Sequence, residues 1–116
     1  MPERIEVLTE GDVTVVEFKD EKILDEANIQ QIGEELYEVV ESHANTKMLV
    51  NFENVAFLSS ATLGKLISLN KRASKVGTTL KFCSIRADLL QVFEMTGLTK
   101  VFDIHDDQES ALESFG

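Results

Sequence analysis

The chain has 116 residues, enough for one domain around a single core, with the 43% hydrophobic and 28% charged content of a soluble globular protein. Twenty-one acidic against eleven basic residues give a net charge of −10. That balance excludes nucleic acid as a bulk partner, because its phosphates would meet a surface of the same sign.

The opening "MPERIEV" lacks the apolar core of a signal peptide, and no run reaches the roughly 18 apolar residues of a membrane span. A cytoplasmic address with no membrane insertion is therefore expected. "IEVL" and "VTVVEF" are β-rich runs around Glu10-Gly11-Asp12, which predicts a hairpin. After the turn-like "KDEK", "ILDEANIQQIGEELYEVVESH" repeats Ile29, Ile32, Leu36, Val39 and Val40 at helical spacing, with carboxylates on the opposite face. Asp25 or Asn28 can cap that helix, and acids in its early turns suit the helix dipole.

"KMLVNF" reads as a buried central strand, and "VAFL" stays apolar up to Ser59 and Ser60. From Ala61 to Val76, at about 100° per residue, Leu63, Leu66, Ile67, Leu69, Ala73 and Val76 fall on one side. Lys65, Ser68, Lys71, Arg72 and Lys75 fall on the other, and Gly77 is a natural stop. Between Asn54 and Ala87 there is no acid, yet six of the eleven basic residues lie there. The predicted helix thus carries a basic outer face on an acidic protein.

"TTLKFCSI" reads as a further strand and "RADLLQVFEMTGL" as a short helix ending at Gly97. "KVFDI" reads as a last strand, and "DDQESALESFG" as a closing helix with Ala111, Leu112 and Phe115 turned inward. Strands alternating with helices indicate an α/β fold, and the opening hairpin makes the β-sheet mixed, with about four flanking helices. Cys83, the single cysteine, has no disulfide partner and reads as a small buried side chain.

The residues give little support to catalysis. His43 and His105 are the only histidines, and neither has a companion at metal-ligand spacing. His43 suits a helix C-terminus, and His105, before a run of acids, is expected at the surface. Ser59 and Ser60 lack a G-x-S-x-G elbow, and the glycines are too scattered to cradle a phosphate. A serine nucleophile at position 60 is the residual enzymatic reading. A serine opening a helix caps free backbone N–H groups, and the positive end of the dipole also tolerates a phosphate there. Capping and phosphorylation are compatible.

Three motifs in this order resemble the STAS domain of bacterial anti-sigma factor antagonists, over about Ile5 to Phe115. "ILDEANIQQI" resembles the family's xLDxxxxxxL, "MLVNFENVAFLSSATLG" its VVLDLSxVxFxDSSGLG, and "VFEMTGLTKVFDI" its LFxxTGLxxxF. The resemblance implies a single STAS-like domain over residues 1–116 with no cofactor and no catalysis. It places Ser60 on the family's phosphoacceptor, with Ser59 the less favoured alternative. Ser59 stands where the family usually has Asp, Ala61 and Thr62 replace a Ser and a Gly, and Asn51 replaces a strand Asp.

The implied partners are an anti-sigma factor that is a serine kinase of the histidine-kinase-like ATPase fold, and a PP2C-type phosphatase. The implied contact surface takes in Leu24, Asp25, Ser59, Ser60, Thr62, Leu63, Lys65, Lys71 and Arg72. A module of this kind binds when Ser60 is unphosphorylated, releases when it is phosphorylated, and so regulates transcription indirectly. The alternative is a non-phosphorylated STAS scaffold or accessory subunit of a signalling or lipid-transport complex.

Overall fold

The computed structural model of the chain describes residues 2–116. Strands β1 (Ile5–Glu10) and β2 (Val13–Phe18) form the expected antiparallel hairpin, closed by Gly11 at a φ of 62° beside Asp12. A two-residue turn with positive φ matches the right-handed twist of the strands it joins. Next come β3 (Lys22–Ile23), α1 (Glu26–Ser42), β4 (Lys47–Asn51), β5 (Phe57–Leu58) and α2 (Ser60–Lys75). The chain then runs through β6 (Thr79–Cys83), α3 (Ala87–Met95), a 3-10 turn (Leu98–Lys100), β7 (Ile104–His105) and α4 (Gln108–Ser114).

The main sheet has the order β1-β2-β4-β6-β7, antiparallel only between β1 and β2. Alternation along each strand divides the apolar residues between its two faces. Val16, Phe18, Met48, Val50 and Phe82 join Ile29, Leu36, Leu66 and Phe93 in the larger core under α1, α2 and α3. Val13, Val15, Leu49 and Cys83 meet Ala111, Leu112 and Phe115 of α4 on the other face. Phe52 stands at the centre of the larger core, with ring centroids 5.0 Å from Phe18 and 5.2 Å from Phe82. Such tilted and edge-on pairs add stabilisation beyond their buried area.

One expectation needs correction. "KVFDI" is not a full strand. Gly97 ends α3 in the left-handed region at a φ of 76°, and the chain then makes the 3-10 turn that sinks Leu98 and Phe102 into the core. Only Ile104 and His105 remain extended enough to pair with β6. Ile67 and Val76 lie on the apolar side of α2 as expected, half-buried and packed against the core that Leu63, Leu66, Leu69 and Ala73 enter.

Candidate functional site

A second, two-stranded sheet builds the site. β3 pairs in parallel with β5, Lys22 beside Phe57 and Ile23 beside Leu58. The residues that follow, Leu24-Asp25 and Ser59-Ser60, therefore leave the ladder side by side and each opens a helix. Asp25 caps α1, its carboxylate accepting from Ala27 N at 2.9 Å and Asn28 N at 3.2 Å. This choice over Asn28 follows from the extended backbone at Asp25, which a capping residue needs. Leu24 beside it is 52% exposed.

The two serines divide the labour. Ser59 is the cap of α2, with extended backbone and its Oγ accepting from Thr62 N at 3.4 Å. Ser60 is the first residue of the helix and is exposed, and its hydroxyl has no hydrogen-bond partner among the described residues. The first turn of α2 contains no acid.

Thr62 was also expected at the contact surface. It is buried, and its hydroxyl donates to the Ile23 carbonyl at 3.2 Å, so it ties α2 to β3. Ser59 N donates to the same carbonyl, also at 3.2 Å. Leu63 is buried and lines a groove of about 140 Å³ with Ser59, Ser60, Leu89, Val92 and Phe93. The exposed apolar residues Val92 and Met95 of α3, and Phe57 of β5, flank this region and were not singled out from the sequence. The signal available was the i, i+3, i+4 spacing of Leu89, Val92 and Phe93.

The basic face of α2 is not one free surface. Lys65 turns to α1, where its Nζ donates to Gln30 Oε1 at 2.9 Å and its stem crosses Gly33. Arg72 also turns to α1, pairing with Glu41 at 2.6 Å and lying 4.0 Å over the Tyr37 ring. Lys71 and Lys75 remain exposed. Helix packing, which a single-helix wheel omits, draws Lys65 and Arg72 across to acceptors on α1.

Asn51 lies away from the serines in its contacts. It is buried at the end of β4, its Nδ2 donating to Gln108 Oε1 of α4 and its Oδ1 accepting from Glu53 N, both at 2.8 Å. His105 is half-buried rather than at the surface. Its Nε2 is 2.9 Å from Asp103 Oδ1 and 3.3 Å from Ser114 Oγ. Both partners meet the same ring nitrogen, so no proton relay from serine through imidazole to carboxylate is formed.

Burial pushes the Asp103 carboxyl up, but Lys81 at 3.0 Å and His105 more than reverse this and hold it below the usual carboxylate range. Burial raises the Cys83 thiol. His43 closes α1, with Nδ1 2.8 Å from the Val39 carbonyl. Among the described residues no group of three or more His, Cys, Asp or Glu is placed to hold a metal ion, and no helix is long and apolar enough to cross a membrane.

Comparison with known proteins agrees with this architecture. The model of the STAS domain matches residues 4–111. The anti-sigma F factor antagonist of Paenibacillus polymyxa is 22% identical over 109 residues, covering 94% of this chain and 92% of that protein. An anti-sigma-factor antagonist (STAS) domain protein from Planctomyces limnophilus has the same fold, with a TM-score of 0.83 and 23% identity over 95% of this chain and 96% of that one. The Bacillus cell fate determinant SpoIIAA in its phosphorylated form superposes with a TM-score of 0.72 at 18% identity, over 97% of this chain and 99% of that one.

Proposed function

The chain belongs to the STAS domain family, and from that membership we propose that it acts as an anti-sigma factor antagonist switched by phosphorylation at Ser60. It is a binding module rather than an enzyme. Its partner is an anti-sigma factor that is also a serine kinase of the histidine-kinase-like ATPase fold, and a PP2C-type phosphatase resets it. The contact surface is the exposed ground around Leu24, Asp25, Ser60 and the α2–α3 groove over Leu63, with Lys71 and Lys75 at its basic margin.

The observation that carries this reading is the exposed, unpartnered hydroxyl of Ser60 next to a serine that already supplies the cap. A phosphate on Ser60 adds about −1.5 to −2 charges at the positive end of α2, where the dipole favours it. The helix therefore tolerates the modification. A partner seated on Ser60 does not, because burying an unpaired, strongly hydrated dianion costs several kcal/mol. A phosphorylated form of the Bacillus relative shows that this fold accommodates the group.

The test is a pull-down with the anti-sigma factor, together with mass spectrometry after incubation with ATP. Ser60→Ala should bind throughout, Ser60→Asp should bind weakly, and the wild type should lose its partner as phosphate accumulates on Ser60. Equal retention of Ser60→Asp and wild type would defeat the dianion argument. An unmodified Ser60 in a stable complex would give the scaffold reading instead.

A further inference from the structure

The sheet has an edge that the proposed switch does not use. β1 is the outermost strand, and five of its six residues are exposed. In the hairpin Lys19 N donates to the Arg4 carbonyl, and the two-residue turn closes on Glu10 and Val13. Glu6, Leu8 and Glu10, with the Arg4 carbonyl, therefore present their backbone groups to β2, and Ile5, Val7 and Thr9 present theirs outward. Glu35 of α1 closes the start of this edge, its carboxylate accepting from Arg4 N at 2.9 Å and Ile5 N at 3.2 Å. The outward N–H and C=O groups of Val7 and Thr9 have no partner among the described residues.

Beside Val7 lies a groove of about 230 Å³ between β1 and α1, floored by Val7 and Val39 and rimmed by Glu35 and Glu38. The opposite face of the strand carries Glu6 and Glu10. Glu6 stands directly across from Glu17, and like charges in that position destabilise a ladder. Arg4 does not neutralise them, because its guanidinium reaches Asp20 and Gln31. The open backbone groups are thus framed by carboxylates on both faces of the sheet.

We propose that the free edge of β1 docks an extended basic segment of a partner protein, which adds a sixth strand to the sheet and seats an apolar side chain in the β1–α1 groove. Main-chain bonds to Val7 and Thr9 supply the register, and lysines or arginines of the added strand meet Glu6 and Glu10. Charge chooses this occupant over a second copy of the chain. In the antiparallel register centred on Leu8, two copies would set Glu6 against Glu10 twice, on molecules that already carry −10 each. The acids that guard this edge against self-pairing attract a basic strand. The surface shares no residue with the Ser60 site and does not depend on that reading.

The probe is the peptide acetyl-Lys-Val-Lys-Val-Lys-Val-amide, titrated into nitrogen-15-labelled chain at low salt. Amide shifts should concentrate on β1 and Val39, and solvent exchange at Val7 and Thr9 should slow in the complex. The same peptide with proline at the central valine should not produce that protection. Glu6→Lys with Glu10→Lys should weaken binding roughly fivefold or more. Val7→Pro removes an outward N–H without taking a bond from the hairpin and should abolish the protection. If Val7→Pro does not fold, the charge-reversed pair still decides the matter. Unchanged exchange at Val7 and Thr9, equal binding of the proline peptide, or self-association through β1 seen by sedimentation would each overturn the proposal.

Discussion

The Thr62 hydroxyl donates to the carbonyl of Ile23, thirty-nine positions earlier in the chain, across 3.2 Å. This bond fastens the first turn of α2 to the strand that delivers Leu24 and Asp25, so it sets the position of Ser60 relative to the mouth of α1. Thr62→Val keeps the shape and removes the donor. It is expected to lower stability by about 1 kcal/mol in urea unfolding, the net worth of an ordinary hydrogen bond. A variant as stable as the wild type would show that the backbone bond from Ser59 N suffices alone.

The division of labour between the serines has a thermodynamic signature. Ser59→Ala removes a cap and should cost about 0.5–1 kcal/mol, near the low end because the bond to Thr62 N is long. Ser60→Ala removes a hydroxyl that bonds to nothing and should stay within about 0.5 kcal/mol of wild type. Reversed magnitudes in denaturant titrations would assign the cap to Ser60.

At the α1–α2 contact, a Cβ on Gly33 would come within 2.9 Å of Lys65 Cδ. Gly33→Ala gains about 1 kcal/mol of helix propensity only where that space is free. The gain should therefore be full in a Lys65→Ala background and reduced or lost when Lys65 is present. Additive effects in the double-mutant cycle would mean that Lys65 moves aside at no cost.

Much of this could be read in the sequence. The β-rich run of β2, the apolar run of β4, the stripe of α1 and the turn at Gly11 are local patterns, and the structure keeps them. The register of the family's motifs also put Leu24-Asp25 and Ser59-Ser60 in one neighbourhood. What escaped was non-local. β3 and β5 are two residues each, too short to show a period, and they exist because they pair with one another. The single-helix wheel made Lys65 and Arg72 free surface charges, whereas the neighbouring helix supplies acceptors, Gln30 and Glu41, that tie them across the surface. Thr62 was expected at the contact surface because its acceptor, Ile23, lies in a different segment.

That correction redirects the steering argument. Lys71 and Lys75 are exposed cations of α2 with no acidic partner among the described residues, so Lys71→Glu with Lys75→Glu should slow association with the anti-sigma factor in low-salt stopped-flow measurements. The effect should fade as salt is added. Lys65→Gln and Arg72→Gln should change stability more than association rate. An on-rate indifferent to Lys71 and Lys75 would remove the basic margin from the contact surface.

The network at Lys81, Asp103 and His105 predicts the acid limb of stability. The Asp103 carboxyl titrates lower in the folded chain than in the unfolded one. Its contribution is therefore fully present above the unfolded value of about 3.9 and disappears as pH falls through the lower, folded value. Asp103→Asn should be less stable than wild type at neutral pH, with the difference closing below about pH 4. Parallel stability curves across the acid range would show that the carboxylate charge contributes nothing.

The β3–β5 ladder brings Lys22 beside Phe57 and so closes a long excursion of chain that includes all of α1 and β4. Closing such a loop costs entropy before a two-residue ladder returns any bonds, so that pairing belongs late in folding. Ser60, the proposed acceptor, and Asp25 then come together only in a chain whose core is already built. A nascent or partly unfolded copy would expose Ser60 as a bare hydroxyl without the surface beside it, and would not compete for the partner. Competence to bind thus becomes a certificate of completed folding.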